Sequence, residues 1–382
     1  MEPRRKDWTN ILFLCGSPLV GVLGTAAYAL RYGVAWWEPA LCLALFFATG
    51  LSIGAGYHRL FAHRAYECPA AVRAVFLFFG ALALQNSVLF WARDHRDHHR
   101  FVDTDRDPYN INRGGWYAHI LWIFYRPDTP PDFHEVPDLT RDRLVMLQHR
   151  WGAVLGIVAG LGFPTLVGAL FGRPVGGLLW GGFLRIVLGH HTTFFVNSVA
   201  HLWGSRPYSE ENSSRDNWLL AFFTHGEGYH NFHHRFPSDF RNGIRWWQWD
   251  PNKWLIGLLK GVGLARALKA TPPPLVDAVR LQVALARAER RLEPAPTELQ
   301  EAVRVRVESV RRRLDEALVL WNEALRRRRD LAARGRRANA EAFEELKSEL
   351  KAKIRAYKAT FRAAHDEWRA ALRFLSGLPG SA

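Results

Sequence analysis

Cysteine is scarce in this chain of 382 residues, which contains only Cys15, Cys42 and Cys68. No two of them have paired spacing, and none belongs to a CxxC motif, so a disulfide framework is not expected. Hydrophobic residues, in contrast, make up 48% of the chain and are concentrated before residue 205. These observations favour a large apolar structure whose chemistry faces a reducing compartment.

Acidic residues are in the minority. The 36 Asp and Glu are outnumbered by 51 Lys and Arg, which gives a formal net charge of +15. Such a balance suits anionic lipid headgroups or an anionic substrate, with nucleic acid as the less favoured partner. Because the apolar runs indicate a membrane protein, we expect membrane lipid as a partner and no nucleic acid.

Charge is almost absent from four long segments, each close to the length that spans a hydrocarbon core of about 30 Å at about 1.5 Å per residue. They are residues 11–30, 39–57, 152–172 and 175–200. The basic leader before the first run resembles a signal peptide, but the run is too long and has no clear cleavage site, so we interpret it as a first span. Arg185 interrupts the fourth run and is either a functional residue or a side chain that reaches the membrane surface.

A further uncharged run, residues 75–92, is predicted to be an interfacial helix that does not cross the membrane. A crossing here would place the histidines before it and after it on opposite sides. Positive residues flank the outer ends of the first two spans, which places those ends in the cytoplasm by the positive-inside rule. These flanking residues are Arg4, Arg5, Lys6, Arg59 and Arg64.

Histidines form three clusters: His58 with His63, His95 with His98 and His99, and His230 with His233 and His234. Residues at i, i+3 and i+4 project from one face of a helix, so each triplet is predicted to present its imidazoles to a single point. His58 and His63 lie about 140° apart on an α-helix, and they converge only if the helix ends between them. His201 is a ninth candidate, with Asn197 one turn before it. This number of nitrogens exceeds what one ion accepts, so the sequence predicts two metal ions.

The chain is predicted to have two domains, a membrane domain of residues 1–270 and a basic helical tail of residues 271–382. The tail carries 24 Lys and Arg against 16 Asp and Glu, a net charge of +8. Its apolar residues follow a near-heptad spacing in two stretches, which predicts an antiparallel, coiled-coil-like hairpin that turns near Gly335. The predicted fold class is therefore an all-α integral membrane protein with four transmembrane helices, a cytoplasmic di-metal domain and a C-terminal helical hairpin.

Four motifs in order resemble those of the membrane fatty acyl desaturases of the stearoyl-CoA (delta-9) type, over roughly residues 8 to 270. They are His-Arg-Leu-Phe-Ala-His-Arg, Trp-Ala-Arg-Asp-His-Arg-Asp-His-His-Arg-Phe, Val-Asn-Ser-Val-Ala-His-Leu-Trp-Gly and Gly-Glu-Gly-Tyr-His-Asn-Phe-His-His. The resemblance implies two Fe²⁺ ions and O₂ as co-substrate, with the nine histidines as ligands and Asn197 bound through water. It also implies that Gln85, Asn86 and Trp91 line the substrate tunnel.

The same resemblance implies a long-chain acyl-CoA, another acyl thioester or an acyl lipid as substrate. It further implies a separate electron donor of the ferredoxin, rubredoxin or cytochrome b5 type, because no fused cytochrome b5 signature is present.

Two alternative functions remain. Membrane hydroxylases and alkane monooxygenases share the ligand types, and a metal transporter or sensor is less favoured because transport requires ligands near the bilayer midplane.

Other residues near the clusters are open to two interpretations. His190, His191 and His225 are either supporting groups of the metal centre or ordinary packed residues. Five carboxylates beside the ligands either fix an imidazole tautomer or form surface ion pairs. They are Asp94, Asp97, Asp105, Asp107 and Glu227.

Overall fold

Helices account for almost all of the secondary structure in the computed structural model, which describes residues 4–128, 132–292, 297–334 and 340–376. The chain divides into two units, one of Met1–Arg206 with Glu210–Ala270 and the other of Pro207–Ser209 with Thr271–Ala382. A predominantly helical fold is therefore confirmed, and one short pair of antiparallel strands was not predicted.

The first unit begins with β1 (Arg4–Lys6), α1 (Trp8–Tyr32), α2 (Trp37–Ala62), α3 (Ala70–Leu82) and α4 (Val88–Phe101). Shorter elements follow: a 3₁₀ turn (Ile111–Arg113), α5 (Gly115–His119), a second 3₁₀ turn (Leu121–Phe124), β2 (Tyr125–Pro127) and α6 (Pro137–Thr140). The unit continues with α7 (Arg143–Leu170), α8 (the consecutive segments Pro174–Gly177, Leu178–Leu184 and Arg185–Leu202), α9 (Trp218–Phe223), α10 (His230–Arg235) and α11 (Pro251–Gly261).

Three of the helices that the structure describes are long and apolar enough to cross a membrane, namely α1, α2 and α7. They correspond to the first, second and third predicted spans. The first begins after Asp7, whose carboxylate accepts a hydrogen bond from the Asn10 backbone N–H, and it ends before Gly33, whose φ of 70° suits glycine. The fourth predicted span lies in α8, which is not among the three, because its arginine and histidines lower the mean hydropathy.

The prediction of one helix over residues 75–92 is wrong. Here α3 ends at Leu82 and α4 begins at Val88, and the bend between them holds Leu84 and Asn86 in the left-handed region, at φ of 53° and 71°. The polar side chains explain the break. Ser87 accepts a hydrogen bond from the Phe90 backbone N–H and caps α4, and Gln85 donates to the Thr193 hydroxyl of α8 at 2.9 Å.

Arg185 of α8 is buried, with 1% of its surface exposed, so it does not reach the membrane surface. Its guanidinium donates to the carbonyls of Leu82 at 2.6 Å, Gly160 at 3.0 Å and Gly181 at 3.1 Å. It therefore binds the C-terminal end of α3, where unpaired carbonyls favour a cation. The interpretation that Arg185 reaches the membrane surface is therefore wrong, and the interpretation that it is functional stays a prediction, because Arg185 joins α3, α7 and α8 and also lines the cavity described below.

Within the described ranges of the second unit there are three helices, α12 (Pro273–Leu292), α13 (Thr297–Arg334) and α14 (Ala340–Ser376). The predicted hairpin corresponds to α13 and α14, and its predicted turn at Gly335 lies outside the described residues. Helix α12 was not predicted, because the prolines before it indicate a boundary, whereas proline also fits the first turn of a helix. All three helices contribute to one apolar core, which includes Leu281, Leu285, Val310, Leu314, Ala364 and Trp368.

The contact between α7 and α8 yields a prediction. A Cβ added at Gly168 would lie 2.6 Å from the Arg173 carbonyl oxygen and 3.0 Å from the Gly177 Cα, whereas one added at Gly162 would meet no atom within 4 Å. We expect Gly168→Ala to destabilise the protein by roughly 1–3 kcal/mol through overpacking. Gly162→Ala is the matched control on the same helix, with no loss and a gain of up to about 1 kcal/mol. Thermal unfolding in detergent measures both, and equal midpoints would contradict this packing.

Candidate metal centre

All nine candidate histidines meet in the first unit, although they come from four separate segments. Their ring nitrogens fall into two groups, within each of which the atoms lie within 4.8 Å of one another. The first group contains His58, His63, His95, His99 and His233, and the second contains His98, His201, His230 and His234. Every member is buried or half-buried.

The last turns of α2 explain how His58 and His63 converge. Residues Ser52–Ala62 form a π-helix, and the His63 backbone N–H donates to the His58 carbonyl at 3.0 Å, an i to i+5 hydrogen bond. A helix widened in this way brings residues five apart close to the same face. The helix does end between the two histidines, at Ala62, but the widened turn also contributes, and no residue spacing indicates such a turn.

Each histidine triplet serves both groups, so the prediction that a triplet points to one place is wrong. On α4, His95 and His99 join the first group and His98 joins the second. On α10, His230 and His234 belong to the second group and His233 to the first. Residues i and i+4 are about 40° apart on a helix, whereas i+3 lies about 100° from i+4, so the third imidazole points to a neighbouring position.

The spacing of the Nε2 atoms fits metal ions at both positions. In the first group His63 and His95 are 2.8 Å apart, and His233 lies 2.9 Å from both His58 and His99. With a metal–nitrogen distance of about 2.1 Å, ligands at right angles are about 3.0 Å apart and tetrahedral ligands about 3.4 Å apart. The distances in the first group favour ligands at right angles. In the second group the Nε2 atoms are 3.0 to 3.2 Å apart, which favours the same arrangement.

Of the eight candidate imidazoles outside α8, six are held neutral at physiological pH, as a metal ligand must be. Burial is the main cause, and the neighbouring imidazoles add to it, so that the pKa of His63, His95 and His234 lies well below the usual range. The same causes lower the pKa of His99, His230 and His233.

Four ligand candidates have a partner for their other ring nitrogen, which fixes ring orientation. The Nδ1 atoms of His58 and His98 lie 2.9 Å from the carboxylates of Glu227 and Asp107. His201 bonds to Ser213 at 2.7 Å, and the Ser213 hydroxyl donates to Asp103 at 2.6 Å. The longest of these contacts, 3.3 Å, joins His95 to the hydroxyl of Tyr109.

Glu227 belongs to a buried ion network. Its carboxylate lies 2.9 Å from Arg59, which also contacts Asp250 at 2.9 Å. Burial raises the pKa of Glu227, but Arg59 and His58 outweigh this effect and lower the pKa to about 2. The sequence predicts Arg59 as a cytoplasmic flanking charge, but the structure buries it beside the metal centre.

Of the five carboxylates suggested from sequence, Asp107 and Glu227 contact a ligand candidate. Asp94 pairs with Arg93 at 2.6 Å, and Asp97 and Asp105 line a cavity. The sequence did not predict that Tyr109, Ser213 and Asp103 support the ligand candidates. No spacing rule identifies Ser213 or Asp103, because a loop far from α4 in sequence brings them together.

The three further histidines suggested from sequence, His190, His191 and His225, do not contact the ligand candidates within the described part of the chain. His190 donates to the carbonyls of Ala83 and Leu84, at 2.9 and 3.2 Å, and so holds the bend between α3 and α4. His191 bonds to His119 at 3.0 Å, and His225 packs beside Phe46 and Phe47.

A cavity of about 1450 Å³ reaches the histidines and continues past them between the helices. His58, His95, His98 and His230 line it, as do the predicted substrate residues Gln85, Asn86 and Trp91, and also Asn197. The Trp91 ring stacks on His95 with centroids 4.9 Å apart. The cavity therefore reaches one side of the metal centre.

The carboxylate partners generate a prediction. We expect Asp107→Asn to lower the affinity for bound metal by roughly 10- to 100-fold, because His98 loses a charged acceptor. Glu67→Gln is a matched control, since Glu67 is close to His63 in sequence but pairs with Arg266 on the surface. Metal retained against a graded series of chelator concentrations measures both variants. Equal retention would show that Asp107 does not support the centre.

Comparison with known proteins identifies the family. The fatty acid desaturase family model matches residues 35–257. Acyl-CoA desaturase 1 of Saccharomyces cerevisiae is 38% identical over 282 residues, which cover 72% of this chain and 54% of the yeast protein. A probable acyl-CoA desaturase of Schizosaccharomyces pombe is 39% identical over 272 residues, covering 70% and 56%.

The chain thus spans about half the length of these two relatives. It spans more of the sn-2 palmitoyl-lipid 9-desaturase of a Nostoc species, which is 36% identical over 275 residues, covering 70% of this chain and 91% of that protein. The resemblance inferred from the four motifs is confirmed: the chain belongs to the fatty acid desaturase family.

Proposed function

We propose that the protein is an oxygen-dependent fatty acyl desaturase that inserts a cis double bond, at the delta-9 position, into a long-chain acyl group. The observation that carries this proposal is the pair of converging imidazole groups beside a long cavity of about 1450 Å³. The relatives described as acyl-CoA desaturases and as a lipid 9-desaturase support the same reaction.

In this proposal the two groups hold two Fe²⁺ ions, with all nine histidines as ligands and Asn197 bound through water. Bound iron would supply, with O₂, the oxidising power that no side chain has for an unactivated methylene pair. The overall reaction removes two hydrogens from the chain and, with O₂, two electrons and two protons, yields the double bond and two waters. The two electrons require a separate donor, which we propose to be a protein of the ferredoxin, rubredoxin or cytochrome b5 type.

The residues of this chain position the acyl group and exclude water. Trp91 covers His95 on the cavity side, and the bend that carries Gln85 and Asn86 is fixed to α8 by the hydrogen bonds of Gln85, Arg185 and His190. A cavity wall fixed in this way would hold one C–C bond of the acyl chain beside the metal centre. Correct orientation of the reacting groups raises the rate of the reaction. We assign Gln85, Asn86 and Trp91 to substrate binding.

We further propose four spans, formed by α1, α2, α7 and α8, with the metal centre on the cytoplasmic face. Helix α3 has 13 residues and is about 20 Å long, which is shorter than the hydrocarbon core of about 30 Å. The hydrogen bonds of Arg185 to three carbonyls satisfy three of its five N–H donors, one on each nitrogen, which supports a span in α8 despite the charge.

The activity is tested in a host that lacks its own acyl desaturase. We expect expression of this chain to restore delta-9 unsaturated chains, and we expect about two irons per purified chain. His98→Ala should abolish the activity while the protein still inserts, because the spans do not depend on the ligand. His134→Ala is the control, since the His134 side chain is 96% exposed. A hydroxylated product would indicate a hydroxylase, and zinc without iron would contradict the proposed centre.

The topology is tested with single cysteines in a chain whose three native cysteines are replaced by serine. Val34, in the link between α1 and α2, is 53% exposed, and Arg113 is exposed near the metal centre. We expect an impermeant maleimide to label Val34→Cys in intact cells and Arg113→Cys only after permeabilisation. The opposite pattern would invert the orientation, and labelling of both in intact cells would show that the α3–α4 region crosses the membrane.

A further inference from the structure

Several of the exposed residues that line the cavity lie beside the start of α1, and we call the exposed and half-buried charged part of the lining its mouth. Strand β1 pairs with β2 so that Arg5 lies opposite Arg126, and α1 begins two residues after β1. Thr9, Asn10 and Phe13 of α1 line the cavity next to this strand pair. Since α1 is the first candidate span, the mouth lies where that span meets the membrane surface.

The charged residues that line the mouth are mainly acidic. Four exposed carboxylates face three exposed guanidinium groups: Asp105, Asp128, Asp132 and Glu135 against Arg5, Arg106 and Arg126. Three half-buried carboxylates and one half-buried arginine lie further in: Asp7, Asp94 and Asp97 with Arg93. No lysine lines this cavity within the described ranges. The formal charge of these lining residues is therefore −3, in a chain whose total is +15. Arg100 pairs with Glu135 at 2.9 Å, and counting it reduces the charge of the mouth to −2.

Three of the four arginines already have carboxylate partners. Arg93 pairs with Asp94 at 2.6 Å, Arg5 with Asp128 at 3.6 Å and Arg126 with Asp7 at 4.0 Å. Arg106 has no carboxylate partner among the described residues, and its guanidinium lies over the Phe101 ring at 3.6 Å. A single arginine of this kind among seven carboxylates does not form a site for several phosphate groups.

This charge distribution discriminates between acyl carriers. Coenzyme A brings a charge of about −4 at neutral pH through its phosphate groups, and it would meet like charge at the mouth. Like charges brought together in this way reject a partner. A neutral or zwitterionic lipid headgroup avoids the repulsion, and an ammonium headgroup is attracted by the excess of carboxylates.

The apolar residues around the mouth also fit a membrane lipid. Trp8 is 61% exposed at the start of α1, and Tyr125, opposite Lys6 on the strand pair, is 42% exposed. Trp122 and Ile123 continue from Tyr125 into the cavity lining. Aromatic side chains at this level are typical of the lipid headgroup zone. A lipid therefore finds apolar contacts at the mouth where a soluble carrier finds repulsion.

We propose that the substrate enters as an acyl chain of a neutral or zwitterionic membrane glycerolipid, with the headgroup at the acidic mouth, and not as an acyl-CoA. The proposal rests on the proposed desaturase function, of which it specifies the substrate class.

A direct competition tests it. The full-length, iron-loaded protein is reconstituted in nanodiscs that contain a phosphatidylethanolamine with one deuterated stearoyl chain, and stearoyl-CoA with a different isotope label is added together with a chemical reductant. We expect the first label to become unsaturated at least about tenfold faster per molecule. Faster conversion of the CoA label would overturn the proposal and leave the desaturase function intact. Conversion of neither label would overturn the proposed function, and this proposal with it.

Charge reversal provides a second readout that does not depend on turnover. In the absence of reductant, we expect the iron-loaded wild-type protein to bind S-octadecyl-coenzyme A weakly by calorimetry, and the double variant Asp105→Lys/Asp132→Lys to bind it about tenfold more tightly. The gain should largely disappear at about 0.5 M salt. Glu308→Lys/Glu316→Lys on α13 makes the same charge change in the second unit and should leave binding as in wild type. Tight binding by wild type, or an equal gain in both double variants, would overturn the role of the mouth.

Discussion

The convergence of nine imidazoles is the constraint on which the rest of the first unit depends. Each ring must leave water, keep its lone pair and point at one of two positions, although the rings come from four segments. Buried polar groups require partners, so ring nitrogens turned away from the centre bind Glu227, Asp107, Ser213 and Tyr109. Glu227 in turn requires Arg59, and Arg59 requires Asp250. The ligand candidates are thus held in place by charged side chains that are themselves buried and paired.

The same constraint shapes the backbone. An ordinary α-helix would separate His58 from His63, and the π-turn at the end of α2 removes that separation. Likewise α4 must begin as a separate helix after α3, because the histidines of α4 have to face α2 and α10. The bend between them leaves carbonyls without helical partners, and Arg185 and His190 of α8 supply the donors. A buried arginine of α8 therefore supports the geometry of the cavity without belonging to the ligand candidates.

Local patterns predicted the parts of this structure that depend on local rules. The runs at 11–30, 39–57 and 152–172 correspond to helices long enough to span, and the nine histidines were correctly grouped as one region. Helix geometry explains why the i+3 histidine of each triplet separates from the other two, but the metal position that each histidine reaches depends on where the other helices place their ligands. The π-turn and the break after Leu82 were missed for the same reason: each is fixed by contacts with residues far away in sequence, such as His190 with Leu84.

Net charge shows how a property of the whole chain can differ from the charge of the residues at one site. The formal charge of +15 suggested an anionic ligand, yet a tail with a net charge of +8 accounts for about half of it. Fields in water decay within about 8 Å at physiological salt, so a ligand at the cavity responds to the groups that line it and not to the total. Those groups are mainly carboxylates, and most of the arginines among them are already paired. In the proposal made above, a basic protein presents an acidic entrance, and the local charge balance decides which acyl carrier it selects.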